Sequence, residues 1–420
     1  MFKNGKMFKN GKRLIYLLAT FFISTSTFAQ SVDVFGFFQS VGSSLSINQD
    51  VFSPLAMGKV SINQKSTNLY MQQANLFATS ELGSGFSAFV NLEFTNNYSS
   101  NKFWGSFNLQ EAYVKYQKNS ALRVKVGLFL PKFNNLNEVY NRTPLLPYIN
   151  RPLIYETSFW VVISPEDFLP QRGFFQVYGA LRMGKARFDY SAFVGSSEDS
   201  FVANENPSSP NNPQNSSYPI SGWEYSKSKT FGGRIGLRYS GLKLGVSATY
   251  DKDNLNKFNV SLDETNPVYA SLGEVPRIRF GADLEYSLKG LFLNAEYESV
   301  NYNMKDGQDV LLKTLARPQI PGISNSSAIG GGLDKEFYYV TLGYNYLDNY
   351  FVYCTYNYLA DDFNNFINSD NGGLKSYMIG GGYKPMDLVT LKLQYVKMKF
   401  NSDLADLDQD IYSVAVSVSF

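Results

Sequence analysis

The chain has 420 residues, with one cysteine, no histidine, and 38 Lys and Arg against 36 Asp and Glu. The lone Cys354 excludes an internal disulfide, and the absence of histidine excludes Ser–His and Asp–His hydrolytic chemistry. Removing the first 29 residues takes away five basic side chains and no acidic one, leaving a net charge of −3 and arguing against nucleic acid as a partner.

Those first 29 residues have the order of an export signal. Lys3, Lys6, Lys9, Lys12 and Arg13 precede an apolar run at 14–23, and Ala29 stands at the expected cut. The run is too short to cross a bilayer as a helix, and nothing after it is apolar enough to try. The hexapeptide MFKNGK occurs twice over 1–12, so Met7 serves as a start as well as Met1. Residues 30–420 then form one domain, because no linker divides them.

From there the sequence alternates. Strands are expected at 32–43, 68–79, 86–95, 106–117, 122–130, 173–183, 186–197, 229–239, 242–251, 277–288, 291–301, 337–346, 351–359, 377–383 and 389–399, with a terminal strand from Tyr412. Loops are expected at 45–67, 98–104, 198–228, 254–275, 304–334 and 401–408. Tight turns at ELGSG (81–85), KNSA (118–121), Gly184-Lys185, Ser240-Gly241 and Lys289-Gly290 alternate with these longer polar stretches. The count is about sixteen, with short turns at one end and long loops at the other. That asymmetry, with strands of about ten to twelve residues, describes a transmembrane antiparallel up-and-down β-barrel. Closure is a physical requirement, because an open sheet edge in lipid leaves backbone groups unpaired.

The terminal strand shows the pattern most clearly. Tyr412, Val414, Val416, Val418 and Phe420 share one face, and Ser413, Ala415, Ser417 and Ser419 share the other. Tyr239, Tyr250, Tyr286, Tyr297, Tyr344, Tyr346, Tyr356, Tyr358 and Tyr395 join Tyr412 on the outward set, as two aromatic girdles at the headgroup level. The inward set carries charge: Arg123, Lys125, Arg182, Arg187, Arg234, Arg238, Lys243, Arg277 and Arg279, with Asp189, Asp251, Asp283, Glu285, Glu296 and Glu298 among them. Arg or Lys facing lipid at mid-membrane costs about 2–4 kcal/mol, so this face is wet. About sixteen strands leave an aqueous channel, and its basic wall favours anions.

Residues 131–172 are too long and too apolar for an exposed loop. Lys132, Glu138, Arg142, Arg151, Glu156 and Arg172 alternate there with Leu145, Leu146, Tyr148, Ile149, Leu153 and Ile154. Folded inward, the apolar residues would pack on the wall and the charges would narrow the pore as a constriction loop.

Length, export signal, dyad strands and terminal phenylalanine together resemble the sixteen-stranded Gram-negative outer-membrane porins. More narrowly, EAYVKYQKNSALRVKVGLFLPKF (111–133) is similar to a strand–turn–strand segment of the phosphate-selective (O/P type) porins that precedes their constricting third loop. Gly127, Phe129 and Pro131 hold the family's positions, and Lys125 stands where the family has arginine. The resemblance implies an outer-membrane channel for ions and small polar or anionic solutes, in contact with lipid and lipopolysaccharide. It also implies a homotrimer, although the short loop at 98–104 lacks the length for the subunit latch of general porins. Their PEFGG-like stretch is missing from 131–172. A signal ending in FAQ resembles Bacteroidetes exports.

No enzyme is expected. The adjacent Glu296 and Glu298 are explained by lumen solvation, and no cofactor or metal is implied. The run Asp403, Asp406, Asp408 and Asp410 hints at a cation site but lacks the glycine and terminal glutamate of a calcium loop. The alternative is a substrate-specific transporter for a hydrophobic or sugar ligand, which the inward basic residues disfavour where the ligand is apolar.

Overall fold

The computed structural model describes residues 31–53, 58–98, 105–156, 165–197, 228–253, 275–303, 334–362, 367–401 and 405–420. The expected signal at 1–29, Asp403, and most of the long loops at 198–228, 254–275 and 304–334 lie outside the described residues.

Sixteen strands follow in order: β1 (Val32–Ser53), β2 (Gly58–Gly83), β3 (Phe86–Tyr98), β4 (Ser106–Gln117), β5 (Arg123–Phe129), β6 (Gly173–Met183), β7 (Ala186–Ser196), β8 (Lys229–Tyr239), β9 (Leu242–Asp253), β10 (Val275–Leu288), β11 (Leu291–Tyr302), β12 (Asp334–Tyr346), β13 (Tyr350–Asp361), β14 (Leu374–Met386), β15 (Val389–Asn401) and β16 (Ala405–Ser419). Each pairs with its neighbours in sequence, and β1 pairs with β16, so the sheet is a closed barrel. All pairings are antiparallel, as two-residue connections require. Ser240 and Gly241 have φ of 48° and 82°, and Lys289 and Gly290 have 47° and 86°. Positive φ at both turn positions gives the turn whose twist matches that of the flanking strands.

The seam runs from Phe37↔Ser419 to Val51↔Ala405. Beyond it the Phe420 N–H donates to the Gly36 carbonyl, and the Gly36 N–H donates back to Phe420, both at 2.9 Å.

The outer face is apolar: Leu393 and Ile379 are each 63% exposed and Val414 is 54% exposed. So continuous a belt suits hydrocarbon rather than water. Every tyrosine expected outward occupies an outward position. Near the long-loop end Tyr395 packs on Tyr412 at 4.9 Å and Tyr356 on Tyr377 at 5.3 Å; near the short turns Tyr350 stacks on Tyr383 at 4.8 Å.

Two expected loops are strand instead. Residues 45–53 and 58–67 continue β1 and β2, which pair from Val32↔Ser80 to Ser53↔Gly58. A span of about 9–11 residues crosses a bilayer, so the outer half of this hairpin stands beyond the apolar belt. Both faces of 60–67 are exposed there, which removes the alternation that marks a strand. Similarly β15 runs through Asn401 and β16 starts at Ala405, so Asp408 and Asp410 face outward from a strand. Lys397 lies 2.9 Å from Asp408 and 3.4 Å from Asp410, and Lys399 lies 3.1 Å from Asp408. Of the aspartates that hinted at a cation site, Asp408 and Asp410 are thus engaged by lysines.

Candidate functional site: the inner segment and the basic wall

After β5 the chain turns into the barrel and follows its inner wall. Gly127, in the motif segment, has φ of 129°, and a β-carbon there would strike the Ala112 carbonyl and Tyr113. Only glycine fits this close approach to β4, just before the turn inward. Its described residues form single helical turns at Thr143–Leu145, Leu153–Tyr155 and Pro165–Phe168 and are otherwise irregular. Irregular backbone buried in a barrel needs partners for its amides and carbonyls, and inward side chains of the wall supply them.

Gln176 accepts from the Lys132 amide at 3.0 Å and Ser247 from Asn134 at 3.0 Å. Glu296 Oε1 accepts from the amides of Asn135 at 3.0 Å and Leu136 at 2.7 Å. Gln73 accepts from Thr143 at 3.3 Å and donates to the Asn141 carbonyl. Gln394 accepts from Ile149 and Asn150 at 3.2 and 2.5 Å and donates back to Asn150. Arg279 donates to the Asp167 carbonyl at 3.0 Å. The Tyr155 hydroxyl reaches Glu296 at 2.6 Å and Glu298 at 3.0 Å, and Asn134 Nδ2 donates to Glu298 at 3.1 Å.

The apolar side chains of the segment complete the contact. Phe133, Leu153, Ile154, Tyr155, Phe168 and Leu169 pack with Val300, Phe337, Leu359, Met378, Val396 and Ile411 of β11–β16 in one buried cluster. That half of the lumen is therefore a hydrophobic core. Within it lies an ion network. Arg277 contacts Asp251 at 2.7 Å and Asp253 at 2.9 Å, Arg279 contacts Asp251 at 3.1 Å, and Lys335 contacts Asp167 at 2.8 Å and Asp361 at 2.9 Å.

The expected pore-lining residues thus divide. Arg277, Arg279, Asp283, Glu296 and Glu298 all point inward but are no more than 4% exposed, covered by the inner segment or by their ion partners. Asp283 receives Arg234 in a fork at 2.9 and 2.6 Å. Within the segment, Arg151 and Glu156 brace one another: the Arg151 amide donates to the carboxylate at 2.9 Å while its guanidinium donates to the Tyr140 carbonyl at 2.7 Å. Arg142 lies over the Phe77 ring at 5.8 Å.

Against β5–β9 the segment still bonds Gln176 and Ser247, but part of the space beside it stays open. Arg123, Lys132, Glu138, Tyr178, Arg187, Asp189, Arg234, Arg238 and Lys243 line a niche with about 80 Å³ open to water-sized molecules. Below it Arg182 opposes Arg187, Arg187 opposes Arg238, and Arg238 opposes Lys243, in direct cross-strand register over β6–β9. Like charges directly opposite are destabilising. Relief is partial: Asp189 lies 3.4 Å from Arg238, and Glu285 lies 3.5 Å from Lys243. Among the described residues, Arg123, Lys125 and Arg187 show no carboxylate within ion-pairing distance. Lys125 instead rests on the rings of Tyr113 at 4.5 Å and Phe129 at 4.9 Å. Lys132 meets Glu138 at 2.7 Å. Burial pushes the Glu138 carboxyl up, but the ammoniums of Lys132 and Lys125 outweigh it and hold that carboxyl below its ordinary range.

Sequence reasoning missed Lys335, Asp361, Gln72, Gln73, Lys392 and Gln394. Each has an inward position, and Lys392 between the outward Leu391 and Leu393 shows that in the alternation.

No family profile and no curated protein matches the chain in sequence. Solved structures do match in shape. The anion-selective porin from Comamonas acidovorans superposes with TM-score 0.56 at 12% identity over 93% of this chain and 100% of its own. The outer-membrane channel DcaP of Acinetobacter baumannii gives 0.52 at 13% identity over 93% and 97%. OprB of Pseudomonas putida gives 0.52 at 12% over 95% and 96%. The fold is therefore the sixteen-stranded barrel of the outer-membrane porins.

Proposed function

We propose that the protein is an outer-membrane channel for passive diffusion of ions and small polar solutes, with a modest anion preference. The segment 131–172 is its constriction, and the first 29 residues are removed on export. The observation that carries this reading is the basic niche left open between the inner segment and β5–β9. Low-dielectric walls focus the field of such charges on whatever passes, and the narrow space keeps a permeating ion within a Debye length of about 8–10 Å from them. Arg123, Arg182, Arg187, Arg238 and Lys243 are the selectivity residues in this reading, with Glu285 as the opposing acid. No catalytic step is assigned. A homotrimer, implied by the resemblance, is tested by light scattering of the detergent-solubilised protein.

The test is the zero-current potential of the purified protein in planar bilayers under a salt gradient. Anion preference is the expected result. Cation preference overturns the anion part, and a folded barrel without conductance overturns the channel.

A further inference from the structure

Lys392 on β15 is 2% exposed and lies against the inner segment. Its ammonium is surrounded by the carbonyl oxygens of Thr143 at 3.1 Å, Pro144 at 3.2 Å, Leu146 at 2.6 Å and Tyr148 at 3.2 Å, with Gln39 Oε1 at 2.9 Å. An ammonium has three donors, and here it meets five oxygens. The geometry is that of a cation held in a carbonyl cage. Gln39 is in turn fixed by Ser417 at 2.6 Å and by Gln72 at 2.5 Å, and Gln72 donates to the Ile149 carbonyl at 2.8 Å.

Two consequences follow from this arrangement. Four carbonyls within six residues converge on one atom, so the path of 143–148 across the lumen is fixed by that atom. The buried lumen cations Arg234, Arg277, Arg279 and Lys335 each face at least one carboxylate, whereas Lys392, like the ring-bound Lys125, has none within ion-pairing distance among the described residues. A carboxylate cancels most of a cation's field, whereas the carbonyl and amide oxygens around the Lys392 ammonium bring no net charge to cancel it.

We propose that Lys392 is a determinant of both bore and ion preference, a clasp that holds the constriction and biases the neck toward anions. This rests on the channel reading above. Two substitutions separate the two roles. Lys392→Met removes pin and charge together: single-channel conductance rises and the zero-current potential moves toward cations. Gln39→Glu places a carboxylate beside the ammonium and keeps the clasp: conductance holds while the potential moves the same way. Lys392→Ala adds a check, because n-propylammonium reproduces the lost Cγ–Nζ atoms and should lower the raised conductance, while tetramethylammonium should not.

A wild-type protein that forms no channel refutes the channel reading itself. A conducting wild type with unchanged bore in folded Lys392→Met overturns the clasp, and an unchanged potential in Gln39→Glu overturns the charge role. Should Lys392→Met fail to fold, Gln39→Glu and the propylammonium-supplemented Lys392→Ala decide the question.

Discussion

The walls formed by β5–β9 and by β10–β16 carry similar inward charges and put them to opposite uses. On β5–β9, Arg182, Arg187, Arg238 and Lys243 stand in register with little to neutralise them. On β10–β12, Arg277, Arg279 and Lys335 are buried with Asp251, Asp253, Asp167 and Asp361. The difference is the inner segment, which packs its apolar side chains on β11–β16 and on β5–β9 leaves open the niche beside Arg123, Arg187 and Arg238. An inward position assigns a charge to water only where nothing covers it; where something does, the charge needs a partner and becomes part of the packing.

Removing the cover should erase the difference. Replacing 143–155 with a short Gly-Ser linker is expected to give the largest effect, a rise in single-channel conductance and in the largest polymer admitted. The strand ladder closes without this segment, so the barrel should persist; a folded variant of unchanged conductance would place the narrowest point elsewhere.

The covered wall should respond in stability. Arg277→Met takes away the cation that Asp251 and Asp253 share, leaving Asp251 with Arg279 and Asp253 with the Tyr302 hydroxyl, and breaking a buried pair costs about 3–5 kcal/mol. Thermal unfolding in detergent should therefore shift strongly downward. The open wall should respond in selectivity instead. Arg123→Ser with Arg187→Ser deletes two unneutralised charges, moving the zero-current potential toward cations with little change in unfolding temperature. Arg277 lies buried beneath the inner segment and away from the open niche, so the selectivity of Arg277→Met should hardly move. Equal responses from both walls would break the comparison.

The smallest expected effect is with pH. The folded Glu138 carboxyl lies below its unfolded value, so its contribution is fully present above the ordinary glutamate pKa of about 4.3. It fades as pH falls through the lower folded value. Conductance governed by the Lys132–Glu138 pair should stay flat from neutral to mildly acid solution and change only in strong acid. Lys132→Met should move that change to higher pH, and a transition near neutrality in the unaltered protein would assign it to another group.

Much of this was legible in the sequence for one reason: within a bilayer the two faces of a strand meet different solvents. Leu393 against Gln394, and Val414 against Ser413, could be sorted by parity alone, and the inward arginines were. Where that contrast ends, legibility ends. Residues 60–67 have water on both sides, so VSINQKST carries no alternation and resembles a loop although it is strand. The inner segment announced itself by length and apolar content, but not the wall it would choose. That choice depends on Phe337, Val396 and Ile411, inward apolar residues from strands far apart in sequence. Lys392 was visible as an inward cation; its role was not, because its partners are main-chain carbonyls and carbonyls have no sequence signature.

The bond pair between residues 36 and 420 has a consequence for assembly. The final pairing closes a loop nearly as long as the chain, the costliest closure available to it. Until then β1 and β16 both present bare edges, open to pairing with any other chain. These two strands nevertheless share a template. Gln39 of β1 and Ser417 of β16 are hydrogen-bonded to one another, and Gln39 bonds the ammonium that gathers the carbonyls of 143–148. The segment inside the finished barrel thus touches both its first and last staves, with Ile149 packed against Val41 and Ala415, and gives the closed seam an inner lining.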